Sequence, residues 1–273
     1  GTDPNEVKAK VTDNHGNPLS GQAVSFSVDN GAVLSASTVD TGGDGIAAVT
    51  LTSTTAGVSH VTASINSSSQ VVSVSFTAVE HDAEFASLTS AGENIAVSAG
   101  FPTTGFDGAK FKLNLPAGIQ TGDFTWSSSD NNAVSVNAGE VTLNSTTHGT
   151  VTIKAAPNSG NGDTYSYTFT VQHWFTHGAD FTWPSLDRAT SDCAAQGGTV
   201  PGRGLLTNGS AGMGGGGTTG KVGSLFGEWG NMVTGYAWPG DVWSQEGDDV
   251  DLYSGWYTPG ASQAGAVVCV RNT

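Results

Sequence analysis

Three stretches of this chain hold residue types that could do chemistry. The run GGGGTTGKV places Gly215, Gly220 and Lys221 at the spacing of a loop that wraps phosphate groups. Such a loop needs Ser or Thr after the lysine to hold magnesium, and a buried strand before it. Here Val222 follows and TNGSAGMG precedes, so the run reads as a flexible surface loop. HWFTH offers His173 and His177 at i and i+4. On a helix two such rings share one metal ion. This stretch reads as a strand or linker, where four residues span about 13 Å, and no cysteine or carboxylate cluster supports zinc. EGDDVDLY gathers Glu246, Asp248, Asp249 and Asp251, oxygen ligands of the kind calcium takes, but without EF-hand spacing. It reads as a solvated acidic loop. No Gly-x-Ser-x-Gly elbow occurs, and no carboxylate pair has a spacing that compels acid–base work. The expectation is a protein that is not an enzyme and needs no cofactor or metal.

The remaining reactive side chains are two cysteines, Cys193 and Cys269. They are either reduced core thiols or a disulfide. Few Lys and Glu and many Ser and Thr are the composition of extracellular β proteins, which favours the disulfide. The 24 acidic residues exceed the 9 basic ones, giving a net charge of −15. That sign repels phosphate backbones and anionic lipid, so nucleic-acid and membrane contact are not expected. There is no apolar run long enough for a membrane span and no signal segment. GTDPNEV at the start reads as a cut just before a domain.

The elements that must position these residues are mostly strands. Apolar residues alternate at Val7, Ala9 and Val11, at Val24, Phe26 and Val28, at Ala47, Val49 and Leu51, at Val61, Ala63 and Ile65, and at Val72, Val74 and Phe76. Turn clusters DNHGNP, DNG, TGGDG and NSSS separate them. The same grammar returns at Phe111, Leu113 and Leu115, at Phe124 and Trp126, and at Tyr165, Tyr167 and Phe169. After Gln172 it changes. PSLDRATSDCAAQGG predicts a helix starting at Pro184 or Ser185 and stopped by Gly197–Gly198, with Leu186, Ala189 and Cys193 on one face. SLFGEWGNM predicts a shorter helix with Leu225 and Trp229 inward. AGAVVCVRN closes the chain as a strand carrying Cys269.

DNHGNPLSGQAVSFSVDNGA and the TGGDG turn that follows resemble the group 1 bacterial immunoglobulin-like repeat. FTWSSSDNNAVSVNAGEVTLNSTTHGTVTIKAA resembles the group 2 repeat, which implies that Trp126 packs in a sandwich core. DCAAQGG, FGEWGN, VWSQ and VVCVR resemble the C-type-lectin-like domain that ends the intimin and invasin adhesins. The resemblance implies a mostly β fold of two immunoglobulin-like β-sandwiches in tandem (1–80 and 81–172), followed by an α+β C-type-lectin-like domain (173–273). It also implies a disulfide from the first helix to the last strand, and a last sandwich and head that act as one rigid unit. Sugar-binding lectins of that superfamily hold calcium with Glu-Pro-Asn-like and Trp-Asn-Asp motifs. Neither occurs here, and EWGN has Gly230 where the second would need Asn.

Six of the seven tryptophans lie after residue 173. Trp183, Trp229 and Trp243 are expected in the core. Trp238 in YAWPGD and Trp256 in SGWYTPG are flanked by turn formers, where loops present side chains to solvent. Aromatic residues are favoured at binding hot spots. Trp238, Trp256, Tyr257 and the acids Asp241, Asp248, Asp249 and Asp251 are therefore the candidate recognition surface. The resemblance implies an adhesin passenger on the outer membrane of a bacterium, anchored by a preceding β-barrel and acting as a monomer. It implies a host cell-surface or serum protein as partner: an integrin, another glycoprotein or an immunoglobulin. Integrin-binding members use an exposed aspartate. The alternatives are a carbohydrate-binding head and a purely structural stalk.

Overall fold

The computed structural model describes residues 4–77, 80–147, 149–178, 184–261 and 265–273. The chain forms two compact units: residues 1–81 with 157–164, and residues 82–156 with 165–273.

The first unit is a β-sandwich. Its strands are β1 (Asn5–Lys10), β2 (Ala23–Val28), β3 (Val33–Leu34), β4 (Thr38–Asp40), β5 (Ile46–Thr52), β6 (Gly57–Ile65) and β7 (Ser68–Phe76). One sheet runs β1-β5-β3, the other β4-β2-β6-β7. Period-two alternation puts Val24, Phe26, Ala47, Val49, Leu51 and Val61 in the core between them. The predicted turns have local causes. Asp13 accepts the backbone N–H of His15 and of Asn17 and the Asn17 side-chain amide, closing the turn before Pro18. In the TGGDG turn, Gly45 has φ of +74° and sits so close to Val11 that a Cβ would lie 2.6 Å from its carbonyl oxygen. No other residue fits there.

The second unit holds a sandwich and the aromatic-rich C-terminal part around one core. One sheet has five strands, in the order Glu93–Ile95, Ser87–Ser90, Ala109–Asn114, Glu140–Leu143 and Val134–Asn137. It faces a sheet built around Phe124–Ser128, Thr150–Pro157 and Gly162–Thr170. Trp126 has the structural place expected of it, half-buried at the core margin. It stacks on Phe85 at 5.7 Å and donates Nε1–H to the Thr121 carbonyl. The change of grammar at Gln172 alters the architecture without breaking the core. His173–His177 pairs antiparallel with Val268–Asn272 and parallel with Thr104–Gly105 of the sandwich, and a single apolar cluster runs from Phe85 to Val270.

Four α-helices follow among the described residues: α1 (Leu186–Ala195), α2 (Arg203–Leu206), α3 (Leu225–Trp229) and α4 (Met232–Tyr236). Ser185 caps α1 by accepting the Arg188 N–H, and Ala189 and Cys193 form its buried face. Cys193 and Cys269 form a disulfide that joins α1 to the last strand. The short helix predicted within SLFGEWGNM is α3, with Leu225 and Trp229 buried, and α4 begins at the last residue of that stretch. Gly230, at φ of +69°, separates them, and Asn231 starts α4 by accepting the N–H groups of Val233 and Thr234. The strands Asp241–Trp243, Asp249–Asp251 and Tyr257–Thr258 complete the head as a small antiparallel sheet.

Candidate functional site

The head is set against the sandwich by a buried carboxylate. Glu228 on α3 is fully buried. It accepts backbone N–H bonds from Thr103, Thr104 and Gly223, and hydroxyl bonds of 2.6 Å from Thr103 and Thr104. The Thr104 hydroxyl in turn accepts the Trp229 indole N–H at 2.9 Å. Around this polar knot lie Phe101, Phe106, Phe111 and Trp229, with ring centroids 5.2–6.5 Å apart. Trp229 and Trp243 are buried as predicted; Trp183 lies outside the described residues.

Trp238 belongs to this core and not to a solvent-facing loop. Ala237 takes a left-handed conformation at the end of α4, φ +56°, and turns the next residue inward. The Trp238 ring is only 5% exposed and packs on Phe106 at 5.1 Å and His177 at 4.8 Å. The flanking turn formers end a helix there; they do not open a loop. His173 and His177 lie on a strand, as expected, with His173 paired to Asn272.

Asp248 is likewise withdrawn from the surface. It is buried, accepts Arg203 Nη1–H at 2.6 Å and the Gly260 N–H, and so ties α2 to the small sheet. Arg203 also lies over the Tyr257 ring at 4.4 Å, and its N–H is held by Glu246. The acidic stretch is therefore partly a structural clamp. Sequence spacing shows the acids but not the cation, which comes from 45 positions away.

Asp251 organises the loop that follows it. Its carboxylate accepts the Tyr253 N–H at 2.7 Å and the Ser254 hydroxyl, and its carbonyl accepts the Gly255 N–H. This turn displays Tyr253, which is 57% exposed. The glycine-rich run lies alongside and is cross-tied to it, against the expectation of a flexible loop. The Gly217 N–H donates to the Ser254 carbonyl, the Gly212 N–H to the Tyr257 carbonyl, and the Thr207 hydroxyl to the Gly255 carbonyl. A Cβ on Gly217 or Gly255 would come within 2.6 Å of the Phe226 ring, so glycine is what lets both loops pack on it. At the tip of the run Met213 is 87% exposed. Trp256 and Tyr257 are half-buried beside this surface. Tyr253 and Met213 are the residues that spacing missed; exposed apolar side chains on a cross-tied loop pair become visible only in three dimensions.

Asp241, Asp249 and Asp251 share one face of the small sheet, since Asp241 is directly opposite Asp251 and Asp249 lies two residues along. Burial, and then the neighbouring Asp241 and Asp251, push the Asp249 carboxyl up to about 6. Burial and Asp251 raise Asp241 in the same way. The Asp249 Oδ1 atom is buried without a hydrogen-bond partner. Among the described residues no His, Cys, Asp and Glu group has metal-site geometry.

An immunoglobulin-like sandwich leading into an α+β head with a disulfide and an aromatic junction defines a class of modular, mostly β chains. Residues 1–77 match the bacterial Ig-like domain (group 1), and residues 86–169 match invasin, domain 4, where a group 2 repeat was expected. Intimin of Citrobacter freundii is 32% identical over 165 residues, 57% of this chain and 16% of that protein. The inverse autotransporter adhesin YeeJ of Escherichia coli K12 is 34% identical over 137 residues, 48% of this chain and 5% of that protein. The chain thus spans a small part of both relatives. Among solved structures, invasin, a bacterial integrin-binding protein, matches with a TM-score of 0.61 at 17% identity, covering 98% of this chain and 96% of that one. The C-terminal 282-residue fragment of intimin, solved with the intimin-binding domain of its translocated receptor, matches with a TM-score of 0.54 at 23% identity, covering 98% and 93%. The chain belongs to the intimin/invasin family of bacterial surface adhesins.

Proposed function

We propose that this chain is the distal, extracellular part of an outer-membrane-anchored adhesin, and that its C-terminal head binds a host protein non-covalently. The observation that carries this reading is the surface made by the turn of Tyr253 and the glycine-rich run of Met213. Large apolar side chains stand in solvent on loops cross-tied by main-chain hydrogen bonds, a pre-ordered presentation that lowers the entropic cost of binding. Trp256, Tyr257 and Asp251 border it; Trp238 and Asp248 support the fold beneath. The solved relatives bind proteins, an integrin in one case and a translocated receptor in the other, which favours a protein partner over a glycan.

The test is a pull-down of host surface and serum proteins by the 273-residue chain, followed by affinity measurement with Tyr253→Ala and Met213→Ser. Loss of at least about tenfold in affinity, with unchanged melting, supports the site. A partner captured equally well by both variants refutes it. Glycan-array binding that disappears in chelator would establish the carbohydrate reading instead.

A further inference from the structure

The first unit contains a groove that its own strands leave open. It has a volume of about 460 Å³ and runs between β1 and the β6–β7 hairpin. Its origin is the unequal width of the two sheets, three strands against four among the described residues. Among the described residues β1 and β7 are both edge strands, each paired along its length on one side only. In the β6–β7 register Val72 is opposite the buried core residue Val61, and cross-strand neighbours share a face. Val72 therefore points to the inside of the sandwich, yet it is 46% exposed because the opposite sheet ends before covering it. On the other wall Val7, Ala9 and Val11 are only half-buried.

Charge at the rim is equally distinctive. Lys8 and Lys10 border the groove on β1, and they are the only Lys or Arg residues in the first 80 positions. Lys8 is partly offset by Glu6 at 2.8 Å, and no ion pair occupies Lys10 among the described residues.

We propose that this groove is a strand-acceptor site for a partner polypeptide, one with small apolar side chains at alternate positions and acidic side chains between them. Such a segment adds to the free edge of β1 through main-chain hydrogen bonds. Its apolar side chains, all on one face, cover Val72 and Ile65. Its acidic side chains lie on the outer face, opposite Lys8 and Lys10, where unlike charges across strands attract.

The probe is a capped peptide, Val-Glu-Val-Glu-Val-Glu-Val, titrated into the full chain and followed by amide chemical shifts and hydrogen exchange. Saturable shifts and slowed exchange confined to residues 5–12 and 61–72 are expected. A peptide with proline at its central valine should not bind. A Val-Lys peptide, or the Val72→Asp variant, should bind about tenfold more weakly or worse. The proline control keeps the test valid even if Val72→Asp fails to fold. No shifts in those segments, or equal binding of the Glu and Lys peptides, overturns the proposal. Protection of the same amides that rises with protein concentration alone would make the occupant a second copy of this chain and overturn the choice of partner.

Discussion

Replacing Glu228 by glutamine is the sharpest perturbation of the second unit. Among the described residues the carboxylate is buried without a cation, and its charge is balanced by the five donors of Thr103, Thr104 and Gly223. Glutamine keeps the shape but turns one oxygen into an NH₂ group. Backbone N–H groups point at both oxygens: those of Thr103 and Gly223 at Oε1, and those of Thr103 and Thr104 at Oε2. Whichever way the amide turns, donor meets donor. The threonine hydroxyls can rotate to accept; the backbone cannot. An orphaned buried N–H costs about 1–3 kcal/mol, and the surviving bonds lose their charge assistance. Relief from burying a charge offsets part of this, leaving a net loss of about 3 kcal/mol. For a unit of this size that lowers the melting temperature by roughly 6–12 °C. Leucine would orphan the backbone N–H groups of Thr103, Thr104 and Gly223 together and should prevent the second unit from folding. The assay is calorimetry or denaturant titration of the full chain. The first unit, with its separate core, serves as an internal control. A Glu228→Gln protein within about 1 kcal/mol of the parent would refute the claim that this carboxylate holds the head to the sandwich.

The disulfide closes a sequence separation of 76 residues. Reduction should therefore destabilise the second unit by roughly 4 kcal/mol in the chain-entropy view and leave the melting of the first unchanged. Trp238→Ala should lower second-unit stability by about 3–5 kcal/mol, whereas Tyr253→Ala should melt like the parent; the reverse order in a thermal scan would sink the assignment of core and surface. Asp249 binds its proton more tightly in the folded head, up to about 6 against an ordinary 3.8. The second unit should accordingly lose stability as pH rises from about 4 to 6 and change little from this source above that. Asp249→Asn should flatten the profile, and a parent equally stable at pH 5 and 7.5 would contradict the raised value.

Much of the architecture was legible in the chain. Alternation of apolar residues marked the strands because a pleated backbone sends every second side chain to the core, a property each strand carries locally. The start of α1 was legible because Ser185 caps it through a hydrogen bond three residues away. The cysteine pairing rested on there being two candidates and on composition. The tertiary structure decided what depends on distant partners. Glu228 sits in an ordinary-looking FGEWG, and its donors Thr103 and Thr104 lie 125 and 124 positions earlier. Asp248 looks like a member of a solvated acidic run until Arg203 is brought against it. Trp238 has the flanks of a loop residue, and only the Phe106 and His177 rings beneath show that it is core. Burial at such positions is set by which surfaces meet. Non-local packing decides that, and no local pattern records it.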